Sequence, residues 1–473
     1  MLTYNFEHVD KPLYEYIYDC IKNDILAGKL KSGEKLPSKR SFAQNNGIST
    51  ITIQNAYDQL ISEGYIFTRP KKGYYVADVP MTARSPKDAS ITLDIKLPPK
   101  QEDYAIDLSN NRTNPDNFPF SIWARLMRDT ISGRSDELMI PSPTGGTREL
   151  RSAIAEHLKS FRGMLVDPNQ IVIGAGTEYL YGLLIQLLGY DKVYCIENPG
   201  YKKLVQIYAQ YKIACRFAGM DECGIKVSAL EQTDAQIAHI SPTHHFPTGT
   251  TMPITRRYEV LAWANEKDER YIIEDDYDSE FRQNGKPIPP LQSIDACEKV
   301  IYMNTFSKSL TPTIRISYMV LPVHLANRFY EQLSFYACTV SNFEQYTLAE
   351  FICQGYFEKH INRMRLYYGR QRRQILDCIN TSKLHNFCQV IENDSGLHFI
   401  LELKTALTDR EITAGLRDNG IHMEALSDYY FTGEHTDRHR FLINYSDVNL
   451  PKLQSALDVL ADIVQQKTTS SST

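Results

Sequence analysis

The chain has 473 residues, of which 42% are hydrophobic and 23% charged, and its formal net charge is −5 at pH 7. This length predicts two to four domains with sizeable cores, and the composition is that of a soluble globular protein. The acidic balance excludes nucleic-acid binding by the chain as a whole, so such binding would need a local basic patch. No apolar run approaches the roughly 18 residues of a membrane-spanning helix, and we expect no signal peptide.

The nine cysteines are dispersed and never form a Cys-x-x-Cys pair. An odd, dispersed set favours free thiols in a reducing compartment, and it predicts neither a disulfide framework nor a metal site. We therefore expect a cytoplasmic protein.

Residues 1–79 are predicted to form one unit of three helices followed by a strand–turn–strand wing. A helix over 12–27 carries an apolar stripe, a short helix over 38–45 ends at Gly47, and a third runs from about 50 to 63. Ser38 and Ser49 are the expected N-caps of the second and third helices. The wing strands, at 65–67 and 74–77, flank the basic turn at 69–73.

This arrangement is typical of helix–turn–helix domains, which place the last helix in a DNA major groove and use turns and wing for phosphates. The polar residues near the start of the third helix that could reach base edges are Thr50, Thr52, Gln54 and Asn55. The basic residues that could contact phosphates include Arg40, Lys71 and Lys72. On pattern alone, a small helical domain that binds another protein remains an alternative.

Residues 80–103 are rich in Pro, Ser, Lys and Asp, and they are predicted to be a linker. From 104 to 465, helical and strand patterns alternate. The buried-strand candidates are 171–173, 193–196, 237–240, 271–274, 300–304 and 318–321. Such alternation predicts an α/β fold with a mostly parallel sheet, followed by a smaller α+β lobe at about 355–465.

Three strings in this region carry candidate chemistry. Lys308 follows a predicted strand within NTFSKSL, and Arg315 comes seven residues later. Asp275 and Tyr277 end another strand and lie two residues apart, so they share a face that Asp276 does not. The glycine turn at 174–178 follows a strand and opens a helix, which is a natural phosphate site.

Together these strings predict a pyridoxal-phosphate (PLP) site. Lys308 would attach the cofactor covalently, Asp275 would pair with its ring nitrogen, and Tyr277 would hold its ring hydroxyl. Tyr201 could stack on the ring or line the pocket. The residues that would surround the phosphate are Gly176, Thr177, Thr305, Ser307 and Arg315. Each string alone is weak, and the prediction depends on their common order and spacing.

Residues 10–77, above all Leu36-Pro37-Ser38-x-Arg40, resemble the winged helix–turn–helix of GntR-type repressors. The resemblance implies DNA contacts from Ser38, Arg40, the turn at 49–55 that begins with Ser49, and the wing at Lys72-Gly73. Many relatives carry arginines early in the third helix where this chain has Thr50 and Gln54. The operator sequence therefore cannot be transferred.

Residues 104–465 resemble the fold-type I aminotransferases, and the combination resembles the MocR/GabR subfamily of GntR-type regulators. The strings that carry the second resemblance are SPTHHFPTG at 241–249, EDDYDSEF at 274–281 and TFSK at 305–308. It implies PLP on Lys308 and a homodimer whose DNA-binding heads pack on the partner's large domain. It also implies a double-stranded DNA operator and sensing of an amino effector, or of PLP itself, through the cofactor site.

The sequence also departs from these families. Phe246 stands where aminotransferases usually carry an asparagine near the ring hydroxyl, which argues for slow or partial transamination. Lys203 replaces an arginine with which the GABA-responsive relative holds its ligand. Arg440 matches the position where aminotransferases bind a substrate carboxylate, or it is an exposed arginine. With His245, these two basic residues are the candidate effector contacts.

Three functions are compatible with these sequence patterns. A DNA-binding regulator with a PLP-dependent sensor domain accounts for both halves of the chain. An active aminotransferase with an appended domain leaves the N-terminal unit unexplained, and a scaffold with a vestigial pocket leaves the intact Lys308, Asp275 and Tyr277 set unexplained.

Overall fold

The computed structural model describes residues 4–6, 10–79, 95–98, 103–109, 114–282, 288–391, 396–433 and 438–466. The chain divides into two compact units, Met1–Lys100 and Gln101–Thr473. Most of the predicted linker at 80–103 lies outside the described residues. Within the described ranges, no helix combines the length and the apolar character needed to cross a membrane.

The N-terminal unit has the predicted winged helix–turn–helix fold. Its helices and antiparallel wing strands are Leu13–Leu26, Lys39–Asn46 and Thr50–Ser62, then Ile66–Arg69 and Gly73–Val76. The Ser38 hydroxyl accepts the Ser41 amide at 3.2 Å, and the Ser49 hydroxyl accepts the Thr52 amide at 3.1 Å, so both predicted N-caps are formed. The second helix ends at Gly47, whose φ of +66° suits glycine.

One aromatic side chain fixes the third helix against the rest of this unit. Tyr57 is fully buried, and its hydroxyl donates to the Pro37 carbonyl at 3.0 Å. Its ring lies edge-on to Tyr74 of the wing, at 4.9 Å between centroids, and to Phe42 of the second helix, at 6.2 Å. The helix that would enter DNA is thus held by both neighbouring elements.

The C-terminal unit contains a large lobe built on a mixed sheet with helices around it. In spatial order the strands are Ile171–Gly174, Ser317–Val320, Val300–Thr305, Tyr271–Asp275, Ile237–Ile240, Val193–Asn198, Ala214–Asp221 and Gly224–Ile225. The middle pairs, from Val300–Thr305 to Ala214–Asp221, are parallel, whereas Ser317–Val320 is antiparallel to both of its neighbours. The predicted, mostly parallel sheet is therefore confirmed.

Helices cover the sheet and continue into the smaller lobe. The α-helices of this unit are Phe120–Gly133, Ser135–Leu138, Arg148–Arg162, Thr177–Leu188, Lys202–Gln210, Val227–Glu231, Ile254–Asn265, Phe306–Ser309, Val323–Leu333, Asn342–Cys353, Tyr356–Thr381, Asp409–Asp418 and Leu450–Gln466. The small lobe has an antiparallel sheet in the order Cys388–Ile391, His398–Leu403, Arg440–Asn444 and Glu424–Ala425. Two short strands, Ile106–Asp107 and Ile421–His422, pair in parallel beside it.

A buried ion pair lies on the side of the strand Tyr271–Asp275 that faces the core. Arg162, in the last turn of its helix, contacts Asp276 with Nη2 and Oδ2 2.6 Å apart, and both side chains are almost fully buried. The Tyr302 hydroxyl donates to the same carboxylate oxygen at 2.7 Å. Buried pairs of this kind are sensitive to loss of one partner, because the remaining charge stays in a poorly solvated place.

We therefore expect Arg162→Met to lower the free energy of unfolding by about 3–5 kcal/mol. Urea unfolding of the full chain, followed by tryptophan fluorescence, measures this, because Trp123 and Trp263 both lie in the C-terminal unit. The matched control is Lys159→Met in the same helix, whose ion pair with Glu156 is exposed and should change stability by less than about 0.5 kcal/mol. Equal losses in the two variants would contradict this account.

Candidate functional site

The carboxyl ends of the parallel strands open onto a cavity of about 290 Å³. Crevices at this edge are the usual ligand sites of such sheets. The residues predicted from sequence that line it are Thr177, Tyr201, Lys203, His245, Asp275, Tyr277, Thr305, Ser307, Lys308 and Arg315. One cavity thus brings together side chains that are up to 138 positions apart in the chain (Thr177 to Arg315).

Lys308 lies in the wall of this cavity, on the short helix Phe306–Ser309 that follows the strand Val300–Thr305. The Thr305 hydroxyl caps that helix by accepting the Ser307 amide at 3.1 Å. Burial lowers the pKa of Lys308 to about 8, and the nearby Asp278 carboxylate opposes this shift. An amine with this pKa is partly neutral at physiological pH, which is the form that attacks a carbonyl.

Asp275 lines the same cavity, and one of its carboxylate oxygens has no hydrogen-bond partner among the described residues. Its Oδ2 accepts the Tyr181 hydroxyl at 2.7 Å and lies 3.6 Å from Nε2 of His239. Its Oδ1 is buried and has no hydrogen-bond partner among the residues that the structure describes. Buried acceptors normally have donors, so this oxygen fits a protonated ring nitrogen. Asp276 faces Arg162 instead, so only Asp275 is placed to contact a ligand here.

The part of the cavity lining near Thr177 and Arg315 has groups that suit a phosphate. The helix Thr177–Leu188 begins there at Gly176, whose φ is +95°. A Cβ at this glycine would lie 2.0 Å from Nη2 of Arg315, so a larger residue would displace the guanidinium. Arg315 and Lys203 both form ion pairs with Glu178 at the start of the helix. The helix N-terminus, the Arg315 cation and the hydroxyls nearby are groups that could hold an anion, although both cations are paired with Glu178 in this structure.

The pairing of Glu197 with His245 was not found from the sequence. Glu197 is the penultimate residue of the strand Val193–Asn198. It accepts the Ser241 amide at 2.9 Å and lies 3.4 Å from Nε2 of His245. Burial raises the pKa of Glu197 to about 8 and lowers that of His245 to about 3, so both side chains are neutral at pH 7. The signal that could have identified Glu197 is its position at a strand end directly before Asn198-Pro199-Gly200-Tyr201.

Arg440 lies outside this cavity. It lines a second, larger cavity of about 860 Å³ with Arg438, Tyr430 and Glu402, and its Nε is 3.5 Å from Oε1 of Glu402. The apolar cluster that includes Phe246, Ile400, Leu426 and Leu442 lies beside both cavities. An effector contact by Arg440 therefore stays a prediction, and it would be made in the neighbouring cavity.

The candidate DNA contacts lie on the surface of the N-terminal unit. Arg40, Gln54 and Asn55 are exposed, as are Thr50 and the wing lysines 71 and 72. Ser38 and Ser49 act as helix caps, and the Ser49 hydroxyl also lies 2.8 Å from that of Thr52. At the wing, Lys71 and Gly73 have positive φ values of +59° and +107°, which gives a tight turn.

Comparisons with known proteins agree with the division of the chain into two units. Residues 13–76 match the gntR family of bacterial regulatory proteins, and residues 105–460 match the class I and II aminotransferases. An uncharacterized HTH-type transcriptional regulator of Bacillus subtilis, YdeL, is 36% identical over 89% of this chain and 90% of its own. The probable rhizopine catabolism regulatory protein MocR of Rhizobium meliloti is 30% identical over 89% of this chain and 88% of its own. The pyridoxine biosynthesis regulator PdxR of Corynebacterium glutamicum is 29% identical over 87% of each chain.

Solved structures share the fold of the C-terminal unit. A multiple substrate aminotransferase from Thermococcus profundus has a TM-score of 0.69 at 22% identity, over 78% of this chain and 93% of its own. A kynurenine aminotransferase from Pyrococcus horikoshii has a TM-score of 0.67 at 23% identity, over 77% of this chain and 92% of its own. These likenesses show the fold alone.

A GntR-type DNA-binding domain joined to an aminotransferase fold defines a transcription regulator with an aminotransferase-like domain. The chain belongs to the GntR family of bacterial regulators, in the MocR/GabR subfamily. The predicted fold class, an N-terminal winged helix–turn–helix followed by a fold-type I aminotransferase-like domain, is thereby confirmed. The prediction of a transcription regulator is also confirmed, and it is favoured over that of an active aminotransferase with an appended domain.

The pH dependence of stability should reveal the proton on Glu197. The folded protein keeps this proton up to about pH 8, whereas an exposed glutamate loses it near pH 4.5. Because the folded-state pKa is raised, the contribution to stability is complete below pH 4.5 and is lost as pH rises to about 8. Relative to Glu197→Gln, the wild type should lose on the order of a few kcal/mol across this window. Urea unfolding at several pH values measures it.

The control is Glu231→Gln, at an exposed helix end, which should follow the wild-type curve. Parallel curves for the wild type and Glu197→Gln would contradict the protonated state of Glu197.

Proposed function

We propose that this protein is a PLP-dependent, cytoplasmic transcription regulator whose aminotransferase-like domain senses an amino compound or PLP itself. The observation that carries the proposal is that one cavity joins the Lys308 amine, the Asp275 carboxylate and the glycine–arginine region at 176 and 315. Within the described part of the chain, Oδ1 of Asp275 has no hydrogen-bond partner. This cavity occurs on a chain whose N-terminal unit is a GntR-type DNA-binding domain.

The residues of this cavity fit PLP in type and position. Lys308 would hold the cofactor, and Asp275 would keep a proton on its ring nitrogen. The pKa of Tyr277 lies well above its usual value because the phenol is desolvated and has carboxylates nearby, so the phenol remains a hydrogen-bond donor. Arg315, Gly176 and Thr177 would surround the phosphate, with the hydroxyls of Thr305 and Ser307. When bound, PLP supplies reversible covalent capture of primary amines and an electron sink.

We propose a sensor in preference to a fast catalyst because Phe246 places an apolar side chain where aminotransferases usually carry an asparagine. Phe246 contacts the rings of Tyr201, His398 and Tyr429, and it offers no hydrogen bond to a ligand. Lys203 and His245 remain candidate effector contacts in the cavity, and Arg440 is one beside it. A ligand can shift DNA binding only by as much as its affinity differs between the two functional states.

A catalytically active aminotransferase is the second candidate, and the intact set of Lys308, Asp275 and Tyr277 favours it. The two proposals differ in whether bound amines change DNA affinity or are turned over.

The first test uses Lys308→Ala. The purified wild type should show the visible absorption of bound PLP, and the variant should lose it together with any response of DNA binding to amines. Lys203→Ala is the matched control, because this lysine lines the same cavity but should not attach the cofactor. Loss of the band in Lys203→Ala alone would move the role to that lysine.

DNA affinity with and without PLP and candidate amines should be measured beside multiple-turnover transamination on the same sample. Rapid turnover, with DNA binding indifferent to every ligand, would favour the enzyme over the regulator.

The N-terminal unit should bind DNA as part of a homodimer that reads two half-sites, because one small domain buries little surface. Arg40→Ala should weaken binding to all DNA sequences. It should also reduce the slope of log affinity against log salt concentration by about one, as expected for the loss of a phosphate contact. Gln54→Ala should relax base preference at one position per half-site if Gln54 reads a base. Footprinting and titrations at several salt concentrations measure both effects, and protection of a single half-site would refute the dimer.

A further inference from the structure

His244 occupies a place beside the proposed cofactor site that neither the motifs nor the comparisons explain. Its side chain is only 2% exposed. Its Nδ1 lies 2.9 and 3.1 Å from the two carboxylate oxygens of Asp278, and 3.3 Å from the hydroxyl oxygen of Tyr277. The imidazole therefore touches the phenol that we propose holds the ring hydroxyl of PLP.

The chemistry of these groups fixes the position of the imidazole hydrogen. A carboxylate only accepts hydrogen bonds, so Nδ1 of His244 must carry the hydrogen that bonds to Asp278. The same N–H lies near the Tyr277 oxygen and can donate weakly to it. The Tyr277 oxygen then accepts on that side, and its own hydrogen is free to point elsewhere. Tyr277 lines the cavity, so this hydrogen can point into it.

The small lobe holds the imidazole from the other side. Gly396 has a φ of +76°, and a Cβ there would lie 1.8 Å from Cε1 of His244. The His398 ring packs on that of His244 at 4.8 Å between centroids, and its Nε2 lies 3.2 Å from the Pro247 carbonyl oxygen. The imidazole is thus packed between Asp278 and Tyr277 on one side and Gly396 and His398 on the other.

Phe246 cannot offer a polar group to the ring hydroxyl of PLP, which leaves that contact to Tyr277 in the proposed site. Phe246 stands where aminotransferases usually carry an amide side chain near the ring hydroxyl, and its described ring contacts are aromatic or histidine rings. His244, two residues earlier in the same loop, is the polar side chain that contacts the phenol.

We propose that His244 is a positioning residue that turns the Tyr277 hydroxyl hydrogen into the cavity, towards the ring oxygen of PLP, in place of the missing amide. The part of this inference that concerns PLP rests on the proposed function. Asp278 fixes the imidazole tautomer, and Gly396 leaves room for the ring.

The first experiment examines the wild type without any cofactor. Nitrogen NMR of protein with labelled histidine, with the signal assigned from His244→Asn, reports which ring nitrogen carries hydrogen. We expect hydrogen on Nδ1. A bare Nδ1 would overturn the inference, and this result does not depend on PLP binding.

The second experiment compares His244→Asn, whose amide can keep a donor near the Nδ1 position, with His244→Leu, which removes it. The Leu variant should bind PLP about tenfold more weakly, as for the loss of one hydrogen bond, and its visible absorption maximum should shift. The Asn variant should stay within about twofold of the wild type and keep its absorption maximum. A purely packing role would not predict rescue by the smaller, polar asparagine.

The same His244→Leu change is then made in a protein that already carries Tyr277→Phe. If His244 acts through the Tyr277 hydroxyl, the second change should alter neither the PLP affinity nor the absorption spectrum any further. Wild-type behaviour of the Leu variant, failure of the Asn rescue, or full additivity with Tyr277→Phe would each overturn the role of His244. Absence of the visible band in the wild type would instead overturn the proposed function.

Discussion

The site depends on how the strand Tyr271–Asp275 distributes consecutive acids between two sides of the sheet. Successive side chains of a strand point to opposite faces. Glu274 faces inward and accepts the amides of Leu291 and Gln292 at 2.7 and 2.9 Å. Asp275 faces the cavity, and the next residue, Asp276, returns to the core to meet Arg162. The buried contacts of Glu274 and Asp276 therefore hold Asp275 in place. If the strand shifted by one residue, Asp275 would face the core and one of the other two acids would face the cavity.

Burial also controls which groups around the cavity are charged. The pKa of Lys308 falls to about 8 and that of Glu197 rises to about 8, so at neutral pH the amine is partly deprotonated and the acid is protonated. His245 is neutral for the same reason. With Glu197 uncharged, the Asp275 carboxylate has no charged acid beside it on that side. A cationic ring nitrogen would then have one carboxylate as its partner, which is the arrangement that an electron-accepting cofactor requires.

Much of this architecture could be predicted from sequence, for physical reasons. Continuous apolar runs marked the buried strands, and serine caps with glycine stops marked the helices of the N-terminal unit. The strand Ala214–Asp221 was missed because it is partly exposed and carries no apolar run. Lys308 and Asp275, which line the same cavity, were predicted from local strings. His239 and Tyr181 were not, because their contacts with Asp275 depend on which strand and helix are neighbours in space.

The contacts of the cavity with the small lobe suggest how occupancy could be transmitted within the C-terminal unit. Phe246 packs in one apolar cluster with Ile400 and Leu442 of the small-lobe sheet, and its ring also meets His398. Close-packed side chains respond to a displaced ring by changing arrangement, because they cannot deform gradually. A ligand that moved Phe246 would therefore act directly on two small-lobe strands, His398–Leu403 and Arg440–Asn444. These strands carry Glu402 and Arg440 of the second cavity, so the apolar cluster around Phe246 connects residues that line the two cavities.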